Sequence, residues 1–331
     1  MVNWLITGGC GFIGLRMVRH LLKQENQHIR ILDNLSVGTR EDLAKISEFV
    51  EGSPKDSFSS AHSEKPVQLI VGDILDETLV LQTLKDVDVV VHLAANTGVG
   101  PSVEDPRSDC LTNVIGTFNL LEAARSAQVK RLVFASSGAP VGEANPPIHE
   151  ELAPHPVSPY GASKLAGEGY CSAYYRTFGL EAVALRFGNV YGPGSTHKGS
   201  VVAKFIRQAF AGETLEIYGD GTQTRDFVYV DDLIKAIWQA ATVPGVGGEV
   251  FQIATNRETT LHELTELLVE ELGNAGVKDV LVRHASSRLG DVQHNFSDTT
   301  KALNVLDWQA KTSLKNGVRN TIRFFQKGVD E

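Results

Sequence analysis

The sequence predicts an α/β fold, a doubly wound parallel sheet of the Rossmann type with a smaller, interleaved C-terminal substrate lobe. Short Val/Ile/Leu-rich runs alternate with longer helical stretches through the first half of the chain, the rhythm of a parallel sheet covered on both faces. A glycine-rich turn, Thr7-Gly8-Gly9-Cys10-Gly11-Phe12-Ile13-Gly14, joins the first apolar run to the first helix. The 331 residues also exceed the ~100–200 of a single domain, so a second unit is expected.

Buried strands are expected at Trp4–Ile6, Ile29–Leu32, Gln68–Val71, Val87–Leu93, Arg131–Phe134 and Ala182–Leu185. Helices are expected at Arg16–Gln24, Leu79–Leu84, Pro106–Ala127 and Pro159–Phe178, linked to the strands by right-handed crossovers. Ser47–Pro66, rich in Ser, Glu, Lys and Pro, breaks the rhythm and reads as a polar surface insertion without chemistry of its own. Beyond Asn189 come a Gly/Pro loop at Tyr191–Gly199, a helix at Ser200–Phe210, a Gly-Asp-Gly turn at Gly219–Gly221 and a helix at Thr260–Leu272. A dinucleotide domain is expected from 1–188 plus 225–256, and a substrate domain from 189–224 plus 257–331, with the reaction in the cleft between them.

Composition narrows the function classes. Apolar residues make up 42% and charged residues 21%, as in ordinary globular proteins rather than disordered ones. A net charge of −9 and a pI near 5.6 argue against nucleic acid or an anionic membrane as the main partner. Local phosphate binding stays open, because a helix N-terminus can hold an anion on an acidic protein. Cys10, Cys110 and Cys171 are too few for a disulfide framework or a zinc site, and no metal is expected. No apolar run reaches the ~18–20 residues of a membrane span, and the N-terminus lacks the pattern of a signal peptide. A cytoplasmic location is therefore expected.

The turn contains Gly9-x-Gly11-x-x-Gly14 between a strand and a helix, which is the context a dinucleotide fingerprint requires. Asp33 lies 19 residues after Gly14, at the end of the second apolar run. A carboxylate there accepts hydrogen bonds from ribose hydroxyls and repels a 2′-phosphate, which favours NAD over NADP. Downstream, Tyr160 and Lys164 are four residues apart on one helix face. A neighbouring ammonium and a cationic nicotinamide would bring a phenol of pKa ~10 into range as a base. Ser136 and Ser137 leave a strand at its C-terminal end, where ligands bind in such sheets, although either serine could instead bond to the turn backbone.

In this order the motifs resemble the extended short-chain dehydrogenase/reductase family, in its NAD-dependent nucleotide-sugar epimerase/dehydratase branch. The resemblance runs through Asp33-Asn34-Leu35-Ser36, Gly72-Asp73-Ile74, His92-Leu93-Ala94-Ala95, Tyr160-x-x-x-Lys164, Leu185 to Pro193, Gly219-Asp220-Gly221, Arg225-Asp226-Phe227 and Arg288-Leu289-Gly290-Asp291. It implies that Gly8, Gly11, Phe12, Ile13, Gly14, Asp33, Asn34, Ser36, Asp73, Ile74, Leu93, Ala94 and Ala95, with Tyr160 and Lys164, hold NAD. It implies Ser137, Tyr160 and Lys164 as catalytic residues, and Ser137, Asn189, Arg225, Arg288, Asp291 and Asn295 as substrate-binding ones.

Branches of the family differ in the residues just after the catalytic serine. Dehydratases resemble one another in placing Asp-Glu there, decarboxylases place a Glu nearby, and the 3,5-epimerase/4-reductases use a cysteine. This chain reads Gly138-Ala139-Pro140-Val141-Gly142, with no acid before Glu143. The resemblance then implies C4 epimerisation of a UDP-hexose, with UDP-glucose/UDP-galactose first and UDP-N-acetylglucosamine or UDP-glucuronate as alternatives. Another oxidoreductase or dehydratase of the same fold, or a non-catalytic NAD-binding protein, are the competing expectations. Pro140-Val141 replaces the usual Val-Tyr of the sugar pocket, and Asn295 stands where relatives carry a size gate for the C2 substituent. Cys171 and His92 read as core residues. The helices Pro106–Ala127 and Pro159–Phe178 resemble the pair that forms a homodimer interface in this family.

Overall fold

The computed structural model describes residues 1–56, 58, 65–196, 199–286 and 293–327. Seven strands, β1 (Val2–Thr7), β2 (Gln27–Asp33), β3 (Phe49–Glu51), β4 (Val67–Val71), β5 (Val89–His92), β6 (Arg131–Ser137) and β7 (Ala182–Phe187), join the strand Val250–Ile253 in one sheet. Across it the order is Val250–Ile253, β7, β6, β5, β1, β2, β4, β3. From β6 to β3 every neighbouring pair is parallel. The strand order reverses at β1, with β2 on one side and β5 on the other, so the switch point lies where β1 ends in the glycine turn. The inner strands are buried along their length, as the unbroken Val/Ile/Leu runs require.

Each expected strand of the first half is present, but three elements differ from the sequence reading. The first helix starts at Phe12 rather than Arg16, so it opens directly out of the glycine turn. The single helix expected over Pro106–Ala127 is Pro106–Cys110, a π-helical turn at Leu111–Ile115, and then Gly116–Ser126. The insertion is not merely polar surface: Phe49–Glu51 supplies the edge strand β3, and Phe58 is buried.

Arg30 explains why that segment folds onto the sheet. Its side chain is fully buried in β2. It donates to Gln68 Oε1 at 2.6 Å, to the Thr83 carbonyl at 2.8 Å and to the Asp56 carbonyl at 2.8 Å. Its guanidinium lies 4.0 Å from the centre of the Phe58 ring. Desolvation pulls its pKa down to about 10, yet every one of those oxygens depends on it.

By contact the chain divides into two compact units. The first comprises Met1–Gly142, Ala153–Arg186 and Ala236–Phe251; the second comprises Glu143–Leu152, Phe187–Lys235 and Gln252–Glu331. These ranges differ from the expected ones. The return of the chain to the first unit is shorter than 225–256, and 143–152 belongs to the second unit. In the second unit the helices Val201–Phe210, Leu261–Asn274 and Leu314–Lys327 pack around Tyr191, Phe205, Leu268 and Ile322. The helix Pro159–Phe178 of the first unit matches its expected bounds. Ser158 caps it by accepting from the Gly161 N–H at 3.1 Å, Pro159 opens it, and Gly179 ends it at φ 73°.

Replacing Arg30 by Met strands buried carbonyl oxygens and should cost about 3 kcal/mol in urea unfolding. A loss below about 1 kcal/mol would show that the insertion does not depend on Arg30.

Candidate active site

Tyr160, Lys164 and Ser137 meet at the C-terminal end of β6. Proline at the helix start and four-residue spacing put Tyr160 and Lys164 on one face of the helix Pro159–Phe178. The Ser137 side chain lies close enough to the Tyr160 hydroxyl to favour its ionised form, and Ser137 Oγ accepts from the Ala139 N–H at 3.2 Å. Lys164 is buried, donates from Nζ to the Ala135 carbonyl at 3.0 Å, and stands 5.9 Å from the centre of the Tyr160 ring. Burial pushes Lys164 down to about 8, opposed by the charges of Asp109 and Glu168. Tyr160 is shifted up, chiefly by burial and further by the charge of Asp109, while the Ser137 hydroxyl acts the other way. The residues after Ser137 form a short 3₁₀ turn, Ala139–Val141, in which Pro140 and Val141 are buried. It carries no acid, and the cluster is equipped for proton transfer by Tyr160 alone.

Behind this cluster lie buried polar groups that sequence reasoning missed. Glu168 accepts from Ser136 Oγ at 2.5 Å and from Arg186 Nε and Nη2 at 2.9 and 2.8 Å, a bidentate pair with both side chains buried. The π-helical turn carries Asn113 inward, where its amide donates to the Asn96 carbonyl at 2.9 Å, to Asp109 Oδ1 at 2.9 Å and to Ser163 Oγ at 3.2 Å. Thr117 donates to the Asn113 carbonyl at 2.6 Å and pairs with His92 Nε2 at 2.9 Å. His92 Nδ1 in turn lies 2.8 Å from Thr7 Oγ1, next to the glycine turn. One signal was available: Asp109, Asn113 and Thr117 recur every four residues, a polar stripe on a face that is buried. His92 and Cys171 are both buried.

The glycine turn has the shape of a phosphate cradle. Gly8 adopts φ +68°, and a Cβ there would stand 2.8 Å from the Ala94 backbone nitrogen, so β1 and the segment after β5 approach as only glycine permits. A Cβ on Gly14 would collide with the Gly8 carbonyl. Gly11 caps the helix without a side chain, so the turn runs straight into a helix N-terminus, whose dipole favours an anion. Asp33 ends β2 buried, with one oxygen on the Cys10 N–H at 2.9 Å and the other on the Leu35 N–H at 2.8 Å. Burial raises its pKa, and those two bonds oppose the rise. Asn34 donates to Asp73 at 2.9 Å and accepts from the Ser36 N–H at 3.1 Å, while Ile74 is buried. Leu93, Ala94 and Ala95 come directly after β5, and Ala94 donates its N–H to Thr7 Oγ1 at 3.2 Å. A glycine-lined helix start with a carboxylate at the end of the next strand suits a dinucleotide.

Three expected substrate residues lie in the second unit, and Arg288 and Asp291 fall outside the described residues. Asn189 and Arg225 line a cavity of about 320 Å³ with Tyr191, Lys204, Tyr218 and Gln223. Lys204 Nζ stands 5.3 Å from the centre of the Tyr218 ring; neither residue was anticipated. The motif aspartate Asp226 is structural. Its carbonyl accepts the Asn189 N–H at 2.7 Å, and its carboxylate takes the Thr255 N–H at 2.7 Å and the Ser297 N–H at 3.3 Å. Asn295 does not line that cavity; its N–H donates to Thr224 Oγ1 at 3.1 Å.

The profile of the NAD dependent epimerase/dehydratase family matches residues 4–254, a stretch that takes in the whole of the Ser137–Tyr160–Lys164 cluster. The chain belongs to that family. It is 37% identical over 328 residues to a UDP-glucose 4-epimerase of Mycolicibacterium smegmatis, covering 97% of this chain and 98% of that one. The crystal structure of a Thermotoga maritima UDP-glucose 4-epimerase with UDP-glucose superposes with a TM-score of 0.87 at 36% identity, covering 99% and 100% of the two chains. That of a Bacillus cereus UDP-glucuronic acid 4-epimerase with UDP-glucuronic acid and NAD gives 0.87 at 30% identity, covering 98% and 99%. Membership in the epimerase/dehydratase family makes the protein an enzyme of the extended short-chain dehydrogenase/reductase type. Among the described residues no helix is long and apolar enough to cross a membrane, and no group of three or more His, Cys, Asp or Glu side chains could hold a metal ion.

His92 gives this site a pH signature. Burial first, and then the Lys164 charge, push it down to about 3 from 6.5. Below about pH 6.5 the unfolded chain binds a proton that the native state refuses, so stability falls as the pH drops toward 3. His92→Gln removes that contribution. Urea unfolding of the two forms should converge, in the variant's favour, by about 1 kcal/mol per pH unit between about pH 6 and 4. Parallel curves would contradict a neutral buried His92.

Proposed function

We propose that the protein interconverts the C4 epimers of a UDP-hexose, with UDP-glucose and UDP-galactose the first choice and UDP-N-acetylglucosamine or UDP-glucuronate the alternatives. The observation that carries this reading is the Ser137–Tyr160–Lys164 cluster with an acid-free turn directly after it. Such a set can move one proton on and off a hydroxyl but has no second acid to eliminate water.

NAD held at the glycine turn, with Asp33 at its ribose, would supply a hydride acceptor that returns what it takes from C4, so that the sugar passes through a 4-keto form. Tyr160 Oη takes the proton of the 4-hydroxyl and later gives it back. Ser137 Oγ, beside the Tyr160 hydroxyl, holds the same hydroxyl in line. Lys164 supplies the positive charge that stabilises the Tyr160 phenolate. Arg225 and Asn189, on the cavity of the second unit, suit the diphosphate and its nucleoside. Arg288 and Asp291 are proposed there on their motif alone.

A homodimer is part of the same proposal. Leu111, Ile115, Tyr170 and Phe178 are exposed on the helices of the first unit, beside the stacked edges of Phe118 and Tyr174. Exposed apolar side chains on these helices favour a second copy as their cover.

Incubation with UDP-glucose, UDP-N-acetylglucosamine and UDP-glucuronate in parallel, with NMR at C4 as the readout, should show inversion of at least one. NADH accumulation or a 4-keto-6-deoxy product would instead indicate an oxidoreductase or a dehydratase. Tyr160→Phe should lower turnover by about 10³-fold or more with NAD still bound; retained activity would sink the mechanism. Phe178→Asp with Ile115→Asp should halve the mass seen by light scattering, and an unchanged mass would move the interface elsewhere.

A further inference from the structure

Asp109 is an acid that the proton transfer through Tyr160 does not use. Only 2% of it is exposed, on the short helix Pro106–Cys110. Oδ1 accepts from the Asn113 amide at 2.9 Å, while Oδ2 is buried with no hydrogen-bond partner among the described residues. A carboxylate kept out of water with a bare oxygen is costly unless its charge has work to do. Its surroundings supply that work. The Asn113 amide it holds also binds the Asn96 carbonyl and Ser163, and Ser163 donates to the Tyr160 carbonyl at 3.0 Å. One side chain thus ties the segment after Ala94-Ala95 to the first turn of the helix that bears Tyr160 and Lys164.

We propose that Asp109 is a positioning residue, which sets Asn113, Asn96 and Ser163 around the Tyr160–Lys164 pair and supplies the negative charge that keeps the buried Lys164 an ammonium. The inference rests on the reading that this pair performs the proton transfer. Both groups respond to Asp109, whose charge raises each of them. The other groups facing the pair do not replace it. Glu168, on the same helix, is bound by Arg186 of β7 and by Ser136 of β6. His92 of β5 is neutral above about pH 3. Ser137 of β6 carries no charge. The cost of Asp109 is a phenol that is harder to ionise; its gain is an ammonium that survives burial.

Asp109→Asn keeps an acceptor for Asn113 and removes the charge, and the test is the pH–rate profile of the NAD-loaded enzyme. Both limbs, which belong to the coupled pair, should move toward acid by about one pH unit. Asp109→Glu should leave them in place even if it slows turnover. Tyrosinate absorbance, titrated in Asp109→Asn and corrected with the same variant carrying Tyr160→Phe, should show the same shift independently of activity. If Asp109→Asn does not fold, Asp109→Ser carries the identical test. Superimposable profiles and titrations, or an equal shift in Asp109→Glu, would overturn the proposal. Absence of turnover in the unaltered enzyme with every UDP-hexose would count against the epimerase reading, and the tyrosinate titration would still decide the role of Asp109.

Discussion

An ammonium group taken out of water must be given oxygen atoms and negative charge, or it gives up its proton. Lys164 is in that position, and much of the first unit is arranged to meet its demand. The Ala135 carbonyl accepts from it as β6 ends. Glu168, one turn further along the helix, is clamped by Arg186 and Ser136 so that its charge stays near but is not free to pair directly. Asp109 approaches from a third element. The result is a lysine poised near neutrality in the company of a tyrosine whose ionised form Ser137 favours. A lysine at the same place on an exposed helix would be fully hydrated and would exert far less pull on a phenol.

That demand couples the two ends of the site. The polar groups around Lys164 continue through Asn113, Thr117 and His92 to Thr7, at the mouth of the glycine turn. Buried networks of this kind are stabilising only when complete, and they rigidify what they connect. The π-helical turn at Leu111–Ile115 makes the connection geometrically available, because a regular helix would turn Asn113 to a different angle. The strand-end positions of Ser137, Asp33 and Ala94 are a consequence of the parallel sheet, which places all its C-terminal ends on one edge.

The repetitive part of this design was legible in the sequence. Val/Ile/Leu runs marked the strands, because a strand buried on both faces has no polar side to disguise it. The Pro159–Phe178 helix was legible to the residue from Ser158, Pro159 and Gly179, each of which acts locally. What stayed hidden depends on partners distant in the chain. β3 sits in a segment whose composition is polar; it pairs with β4, and the residues that follow it are held by Arg30 through Asp56 and Phe58. The π-helical turn breaks no rule of periodicity that a reader could see. Boundaries of the two units are set by packing, so 143–152 sits with the second unit although nothing in its composition marks a change. The closeness of Tyr160 and Lys164 was readable from their spacing on one helix, whereas Asp109 and Asn113 looked like ordinary polar residues on a helix until their burial was seen.

The most direct test of the account tracks the hydrogen at C4. UDP-glucose carrying deuterium at C4, turned over to equilibrium by the NAD-loaded enzyme, should give the C4-inverted sugar with the deuterium still at C4. In the proposed mechanism Tyr160 would move only the hydroxyl proton, and the C4 hydrogen would never reach water. Inverted product with protium at C4, or consumption of the substrate without inversion, would contradict the account.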